Sequence, residues 1–233
     1  MGTIRKNRRL NETQEIELIE KRLYLLEIFK EIADRHGVKW YLNWGTLLGL
    51  VRDNGKFLPH DNDVDISIYP ETLTLDFYNE YMNHPEIISS WGGSLEFKRY
   101  LVGKIDSVPY SIGLQSNLCT HGRNKKNNLN LIKVGSVGVW LDLNLAFEWN
   151  GYTLCKWKGK FFKFPRVDEL QTVKFYGMDV YIPTDSEKHL VNIYTKDWNV
   201  RMLNWGTTKY GPEYWLTEEE TDEVNNMRFK WEQ

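Results

Sequence analysis

The feature that most constrains the fold is a short segment in which acidic side chains occupy alternate positions. The sequence reads DNDVDISI over residues 61–68, which places Asp61, Asp63 and Asp65 two residues apart. Residues i and i+2 of a β-strand point to the same face of a sheet and lie roughly 7 Å apart. The opposite face of this strand is then apolar: Val64, Ile66 and Ile68. Carboxylates held this close repel one another, so the pattern indicates a bound cation.

The start of the chain predicts a long amphipathic helix. Residues 13–36 place apolar side chains at helical spacing along one face. Asn11 is a plausible N-cap with Gln14 three residues later, and Gly37 is a typical residue at the end of a helix. This helix has the length and the apolar face needed to cover a sheet.

The segments between this helix and the acidic strand predict a strand, a short helix and a turn. Residues 38–43 have the composition of a strand, and Gly45 then opens a short apolar helix. An Asp-Asn-Gly turn follows at residues 53–55, before the acidic strand at residues 63–69. The mixture of helices and strands in this order indicates the α/β (α+β) fold class.

The rest of the chain alternates between predicted helices and hairpins. We predict helices at residues 71–84, from Ser186 and from Thr217, and hairpin strands at 94–105 with 108–115, at 152–158 with 161–164, and within 173–182. Residues 133–148 contain a predicted strand, because apolar and polar side chains alternate from Val139 to Ala146. The polar segment 116–130 predicts a mobile loop.

Neither a repeat nor a low-complexity linker divides the chain. We therefore predict a single domain over residues 1–233. Its expected parts are a flexible start (1–12), a metal and donor core (13–150), and hairpins with C-terminal helices (151–233).

Composition excludes several classes of protein. The formal net charge is −2, so no strong field attracts nucleic acid or an anionic membrane. No apolar run approaches the roughly 20 residues that span a bilayer, and the basic N-terminus lacks the apolar stretch of a signal peptide. We expect no nucleic-acid partner, no transmembrane segment, and a cytoplasmic location that includes the membrane surface. A lumenal location would require a leader or anchor outside this sequence.

Two further features predict a site for phosphate and metal. Gly45 and Thr46 stand at the start of the short helix, directly after a strand. A glycine there lets a phosphate approach the backbone, and the N–H groups of the first helical turn favour an anion. Asp142 is a lone carboxylate on an otherwise apolar alternating strand, where a charge needs a partner. Asp142 is therefore the third candidate for the metal.

Gly45 taken alone fits a simple helix start equally well. Two alternative interpretations of the acidic segment, and one of the cysteines, fit less well. An EF-hand calcium loop opens with the same Asp-x-Asp-x-Asp pattern, but it needs glycine at its sixth position and glutamate at its twelfth. Ile66 and Thr72 stand there. Charges that protect a sheet edge would account for two carboxylates but not for the preceding glycine and helix. Cys119, His121 and Cys155 offer three zinc ligands at irregular spacing and without a fourth.

The segment from Gly45 to Ile66, GTLLGLVRDNGKFLPHDNDVDI, resembles the signature of the LicD/fukutin family. Members of that family read approximately G-T-L-L-G-x-x-R-x-x-G-x-I-P-W-D-D-D-x-D. A second segment, YIPTDSEKHLVNIYTKDW over residues 181–198, is similar to the C-terminal pattern P-x-x-x-x-x-x-L-x-x-x-Y-G-x-x-W. The chain departs from these patterns at three positions: His60 replaces Trp, Asn62 replaces Asp, and Thr195 replaces Gly. Of these, His60 borders the site and bears on the choice of substrate.

The resemblance implies a nucleotidyltransferase-like mixed β-sheet flanked by helices, with a helical C-terminal part. It also implies transfer of a substituted phosphate, such as phosphocholine or ribitol phosphate, from a CDP-linked donor. The implied acceptor is a hydroxyl group of a glycan or glycolipid. The implied cofactor is Mg²⁺, with Mn²⁺ as the alternative.

The resemblance also implies roles for the candidate residues. The expected metal ligands and catalytic residues are Asp63, Asp65 and Asp142. The residues expected on the donor phosphate are Gly45, Thr46, Arg52 and Asp61. Asp142 is alternatively the general base for the acceptor hydroxyl. For Arg52, a salt bridge to Asp61 or Asp53 is the structural alternative.

Two other functions stay open on the sequence alone. A true nucleotidyltransferase would leave a nucleotide on a small-molecule, glycan or protein acceptor, with the same fold and metal residues. A non-catalytic binding protein would recognise a nucleotide or a glycan, but it would have no use for three retained aspartates.

Overall fold

The computed structural model describes residues 10–59, 61–89, 110–111, 117–122, 133–134, 137–157, 160–201, 215–226 and 228–229. The α-helices of these residues are α1 (Glu12–Arg35), α2 (Trp44–Arg52), α3 (Leu75–Asn83), α4 (Ser186–Tyr194) and α5 (Glu218–Asn226), with a 3₁₀ helix at Pro70–Thr72. None of the described helices combines the length and apolar character required to cross a membrane.

The strands of the described residues are mostly short. In chain order they are β1 (Trp40–Leu42), β2 (Asp63–Ile68), β3 (Ile87–Ser89), β4 (Tyr110–Ser111), β5 (Asn117–Gly122), β6 (Lys133–Val134), β7 (Val137–Gly138), β8 (Trp140–Leu145), β9 (Phe147–Trp149), β10 (Tyr152–Trp157), β11 (Lys160–Pro165), β12 (Leu170–Phe175), β13 (Met178–Pro183) and β14 (Arg228–Phe229). Hairpin strands dominate the second half of the chain, as the sequence predicts.

The first helix begins and ends where the sequence predicts. Asn11 and Gln14 form a capping box, in which each side chain accepts the backbone N–H of the other residue. After the helix, Gly37 takes a φ of +65°, which glycine adopts without steric cost. The buried side of α1 is apolar except for Arg22, which is only 2% exposed.

A five-stranded mixed sheet carries the acidic segment. Its strand order is β1-β2-β8-β5-β3, in which β2 and β8 are parallel and the other neighbours are antiparallel. The predicted mixed sheet and α+β class are thereby confirmed. One face of β2 and β8 packs with α1 in the apolar core, through the buried residues Val64, Ile66, Leu141 and Leu143. The other face, which carries the aspartates, points away from α1.

Hairpins and helix α4 form the second half of the structure. Asn150 and Gly151 have φ values of +47° and +77° and connect β9 to β10, as an Asn-Gly turn predicts. β10 pairs with β11, and β12 pairs with β13, both antiparallel. Helix α4 packs against α2, β11 and β13. The two hairpins and both C-terminal helices confirm the predictions for these segments.

The predicted loop at residues 116–130 is wrong where the structure describes it. Residues Asn117–Gly122 form β5, which lies inside the central sheet between β8 and β3. The polar side chains of this strand gave no alternating apolar signal. Backbone pairing on both of its edges determines its conformation instead, because strand propensity depends strongly on context.

The strand predicted within residues 133–148 is confirmed as β8, Trp140–Leu145. The described residues form β6, β7 and β8, and β9 begins at Phe147. The predicted alternation is observed in and just before β8, because Val139, Leu141, Leu143 and Leu145 are buried while Trp140, Asp142 and Asn144 are partly exposed. The hairpin of 94–105 with 108–115 stays a prediction, because residues 94–105 lie outside the described part of the chain. Within 108–115, strand β4 pairs with β14.

Candidate active site

Three carboxylates converge at the start of β2. Asp61, Asp63 and Asp65 each offer one oxygen atom, and these oxygens lie within 4.8 Å of one another. Asp63 and Asp65 share the polar face of β2, whose opposite face is buried at Val64 and Ile66. Asp61 precedes the strand and joins the same group. The sequence predicts Asp61 on the donor side, whereas the geometry places it with the candidate metal ligands.

The parallel pairing of β2 with β8 brings a fourth carboxylate to this face. Asp142 is the direct neighbour of Asp65 across the two strands. The charge of Asp142 is close enough to raise the pKa of both Asp61 and Asp65. This register places Asp142 where it could share a site with Asp65. Whether Asp142 is a metal ligand or a general base stays a prediction.

The N-terminus of α2 borders the carboxylates. Gly45 donates its backbone N–H to Asp65 Oδ2 at 2.9 Å, and Thr46 Oγ1 accepts the backbone N–H of Asp65 at 2.9 Å. A Cβ atom on residue 45 would lie 2.4 Å from Asp61 Oδ2 and 3.2 Å from Asp65 Oδ2. A glycine is therefore needed to leave both carboxylates in place. The predicted contacts of Gly45 and Thr46 with a phosphate stay predictions.

An unusual backbone conformation aims Gly45 at the carboxylates. Asn43 is the N-cap of α2, and its side chain accepts the backbone N–H of Trp44 at 2.8 Å. Trp44 has a φ of +45°, in the left-handed region that costs a non-glycine residue about 1–2 kcal/mol. Its ring lies 5.7 Å from the ring of Phe162. This packing offsets the backbone cost of the turn that presents the N–H of Gly45 to Asp65.

Burial and mutual repulsion shift the carboxylates towards their protonated forms. Burial, with the neighbouring Asp63, raises the pKa of Asp61 to about 8. Burial and the charges of Asp63, Asp61 and Asp142 raise the pKa of Asp65 well above its ordinary value. A divalent cation would reverse both shifts because it favours the ionised carboxylate.

The residues of this cluster fit a divalent metal ion. Carboxylate oxygens are the ligands that Mg²⁺ and Mn²⁺ prefer. Asp63 Oδ2 accepts the indole N–H of Trp140 at 3.1 Å, whereas Asp63 Oδ1 is buried and has no hydrogen-bond partner in the described part of the chain. Buried polar atoms without partners are rare in folded proteins. A metal ion would supply the interaction that Asp63 Oδ1 lacks.

Comparison with known families selects the same part of the chain. The family model described as LicD/FKTN/FKRP, nucleotidyltransferase domain, matches residues 37–111. Residues 37–111 are a LicD-type segment. The predicted family resemblance is confirmed over these residues, which include α2, β2 and the carboxylates of Asp61, Asp63 and Asp65.

At the level of the family, the match supports a transferase that takes part in glycan modification. The family is generally metal-dependent, in agreement with the three clustered carboxylates. No curated protein gives a significant match to the chain.

Arg52 forms a salt bridge with Asp53, one of the two partners named above as alternatives to a phosphate contact. Its Nε and Nη2 atoms donate to the two carboxylate oxygens of Asp53 at 3.1 and 3.2 Å. Arg201, which follows α4, also donates to Asp53 Oδ1 at 3.1 Å. This arrangement ties the end of α2 to the C-terminal part of the chain. A contact between Arg52 and a donor phosphate stays a prediction.

Sequence reasoning missed Arg22, a buried cation of α1 next to the carboxylates. Its Nη1 atom donates to the backbone carbonyl of Asp61 at 2.9 Å and to that of Leu58 at 3.4 Å. The guanidinium carbon lies 4.0 Å from the centre of the Phe57 ring. Burial lowers the pKa of Arg22 to about 10, with the charge of Asp61 opposing the shift. Arg22 thus fixes the turn that presents Asp61. The sequence feature that could have indicated this role is a charged residue within the apolar face of α1.

The residues weighed for zinc lie in two different sheets. Cys119 and His121 belong to β5, where Cys119 is the backbone neighbour of Asp142. Cys155 belongs to β10, in a separate three-stranded sheet. The side chains of these three residues and the whole of His60 lie outside the part of the chain that the structure describes.

We expect the metal-free protein to lose stability as the pH rises. The pKa of Asp61 in the folded protein, about 8, exceeds its ordinary value of 3.8. Between these two values the folded state holds more protons than the unfolded state, so the free energy of unfolding falls with increasing pH. The melting temperature should therefore fall from about pH 5 to about pH 9, and Mg²⁺ should raise it more at the alkaline end.

Asp61→Asn is the matched variant for this measurement, because an amide resembles the protonated carboxyl group and does not titrate. Scanning fluorimetry should show a weaker pH dependence and a smaller response to Mg²⁺ in the variant. If both proteins had the same pH profile, the protonation of Asp61 would not be the cause.

Proposed function

We propose that the protein is a phosphotransferase that depends on Mg²⁺ or Mn²⁺ and moves a substituted phosphate from a CDP-linked donor to a glycan hydroxyl. Phosphocholine and a polyol phosphate such as ribitol phosphate are the proposed groups. The observation that carries the proposal is the convergence of Asp61, Asp63 and Asp65 beside the N-terminus of α2. Such a site combines ligands for a hard cation with a helix end that favours phosphate. The family match supports the same reaction class.

The chain's own residues would position the donor. Asp63 and Asp65 would hold the metal ion, with Asp61 and Asp142 as the neighbouring carboxylates that complete its ligands. When bound, a divalent ion neutralises charge on the pyrophosphate and on the departing CMP. The N-terminus of α2 points its partial positive charge at the same place and favours the donor phosphates.

Asp142 is our candidate for the general base when it does not bind the metal. The acceptor oxygen would attack the phosphorus that carries the headgroup, and the bond from that phosphorus to CMP would break. The proton of the acceptor hydroxyl would pass to an Asp142 carboxylate oxygen. Asp142 is suited to this role because its backbone lies directly beside Asp65, at the candidate metal site.

The proposal is tested by incubating the protein with CDP-choline or CDP-ribitol, a panel of glycans and Mg²⁺. We expect release of CMP and an acceptor that gains the mass of phosphocholine or ribitol phosphate, as measured by mass spectrometry. EDTA should stop the reaction. Transfer that continued at the same rate in EDTA would exclude the metal-dependent mechanism.

A true nucleotidyltransferase is the second candidate, because the matching family model describes a nucleotidyltransferase domain. The carboxylates and the helix N-terminus would serve that reaction equally well. The same mass spectra separate the two candidates, since an acceptor that gains a nucleotide monophosphate identifies the second.

A further inference from the structure

A cavity of about 340 Å³ lies between the start of α4, the end of β13 and the connection from β11 to β12. Its volume is within the range of about 300–1,000 Å³ that is typical of small-molecule sites. The charged side chains of its wall are Arg166, Asp168, Glu169, Asp185 and Lys188. Carboxylates outnumber cations in this wall, so it does not favour an anionic ligand.

His189 is the buried polar group of the cavity wall, with an exposure of 4%. Its Nε2 atom lies 2.9 Å from Asn43 Oδ1, which also accepts the backbone N–H of Trp44. Because an amide oxygen only accepts, the ring hydrogen is assigned to Nε2, and Nδ1 is left as an acceptor. Burial lowers the pKa of His189 to about 4, so the ring is neutral near pH 7. No donor to His189 Nδ1 is found among the residues that the structure describes.

The cavity and the candidate active site adjoin the same face of the central sheet. Ser67 follows Asp63 and Asp65 at alternate positions of β2 and therefore shares their face. The side chain of Asn43 donates to Ser67 Oγ at 2.9 Å and accepts from His189. Ser67 lies two residues, or roughly 7 Å, beyond Asp65 along the strand. Asn43 and Ser67 are buried, so this network forms the wall that separates the cavity from the strand of the carboxylates and holds the two next to each other.

We propose that this cavity binds the acceptor glycan, and that His189 Nδ1 accepts a hydrogen bond from one of its sugar hydroxyls. The assignment to the acceptor rests on the proposed transfer to a glycan. A neutral polyhydroxylated ligand suits the wall because hydroxyl groups donate to carboxylates and to a bare ring nitrogen. Arg166 is already paired, with its Nε atom 2.7 Å from Asp168 Oδ1, which leaves less positive charge for an anion.

The test is ligand-observed NMR with galactose, N-acetylglucosamine, glucose and ribitol as probes. We expect saturation transfer from the wild-type protein to at least one of them, without donor or metal. Asn192→Trp, on the cavity side of α4, should fill the cavity and weaken binding at least tenfold. Glu187→Trp is the matched control, because residue 187 is exposed on the same helix and does not line the cavity, so its binding should equal that of the wild type.

His189→Gln separates the ring nitrogen from the structural hydrogen bond. Its amide can still donate to Asn43 Oδ1, while the acceptor at Nδ1 is lost. We expect a folded variant that melts a few degrees lower, because the ring contacts with Phe164 and Tyr41 are lost, and at least tenfold weaker sugar binding at a temperature where the variant is folded. Wild-type-like affinity in this variant would overturn the role of Nδ1.

Failure of this proposal and failure of the proposed reaction have different results. If no probe binds the wild type, or if Asn192→Trp binds as the wild type does, the cavity is not a sugar site. If transfer occurs and Asn192→Trp leaves the KM for the acceptor unchanged, the acceptor subsite is wrong and the reaction stands. If the variant abolishes sugar binding but no CDP-linked donor is used, the carbohydrate site stands and the reaction is wrong.

Discussion

Asp65→Asn is expected to reduce the rate of transfer about a thousandfold and to leave the fold intact. The amide oxygen can still accept the N–H of Gly45, so the hydrogen bond at 2.9 Å survives. The variant removes one negative charge from the candidate metal site. A loss of about 4 kcal/mol in transition-state stabilisation, which is reasonable for a weakened metal site, corresponds to roughly a thousandfold in rate.

A thermal melt of Asp65→Asn excludes misfolding as the cause of a lower rate, and a control variant excludes a general effect of losing one carboxylate. We expect the metal-free variant to melt at the same temperature as the wild type or higher, because one of the mutually repelling charges is gone. Asp179→Asn is the control, since Asp179 is exposed in β13 and pairs with Lys174, away from the cluster. A rate within a few-fold of the wild type for Asp65→Asn would remove Asp65 from the proposed metal ligands.

Features that depend on neighbouring residues could be predicted from the sequence. The capping box of Asn11 and Gln14 and the turn at Asn150 require residues only a few positions apart. The acidic face of β2 could be predicted for the same reason, because strand alternation is a local property. The resemblance that includes Gly45 and Asp65 also lies within one short segment, and the family match confirms it.

Features that depend on strand order and distant packing could not be predicted. Asp142 could be proposed for the site, but its position next to Asp65 depends on the parallel register of β2 and β8. The hydrogen bond between Arg22 and the carbonyl of Asp61 joins residues 39 positions apart. The bond between His189 and Asn43 spans 146 positions, and no local pattern indicates it.

Gly45 and Gly49 lie about one helical turn apart in α2. Replacement of Gly45 by alanine should mainly reduce activity, whereas replacement of Gly49 should mainly reduce stability. At residue 45 the added Cβ atom would meet the carboxylate of Asp61 at 2.4 Å, which is the movable end of a side chain. At residue 49 it would meet the backbone oxygen of Lys56 at 2.4 Å and the backbone nitrogen of Leu58 at 3.1 Å. Backbone atoms in a packed turn cannot yield without moving the turn itself.

We therefore expect Gly45→Ala to reduce transfer about a hundredfold with little change in the melting temperature. Displacement of Asp61 should misplace the metal site, and misplacement by about an ångström costs a factor of this size. Gly49→Ala should instead lower the free energy of unfolding by about 1–3 kcal/mol, a loss of about 2–4 °C per kcal/mol, because overpacking strains the backbone.

The two variants are compared by their rates and their melting temperatures under the same conditions. The folded fraction of Gly49→Ala should respond to Mg²⁺ like the wild type, whereas Gly45→Ala should show a smaller increase in melting temperature with Mg²⁺. If Gly45→Ala were fully active, the carboxylate of Asp61 would not be needed at its observed position. The metal site would then depend on Asp63 and Asp65, with Asp142 as the remaining neighbour.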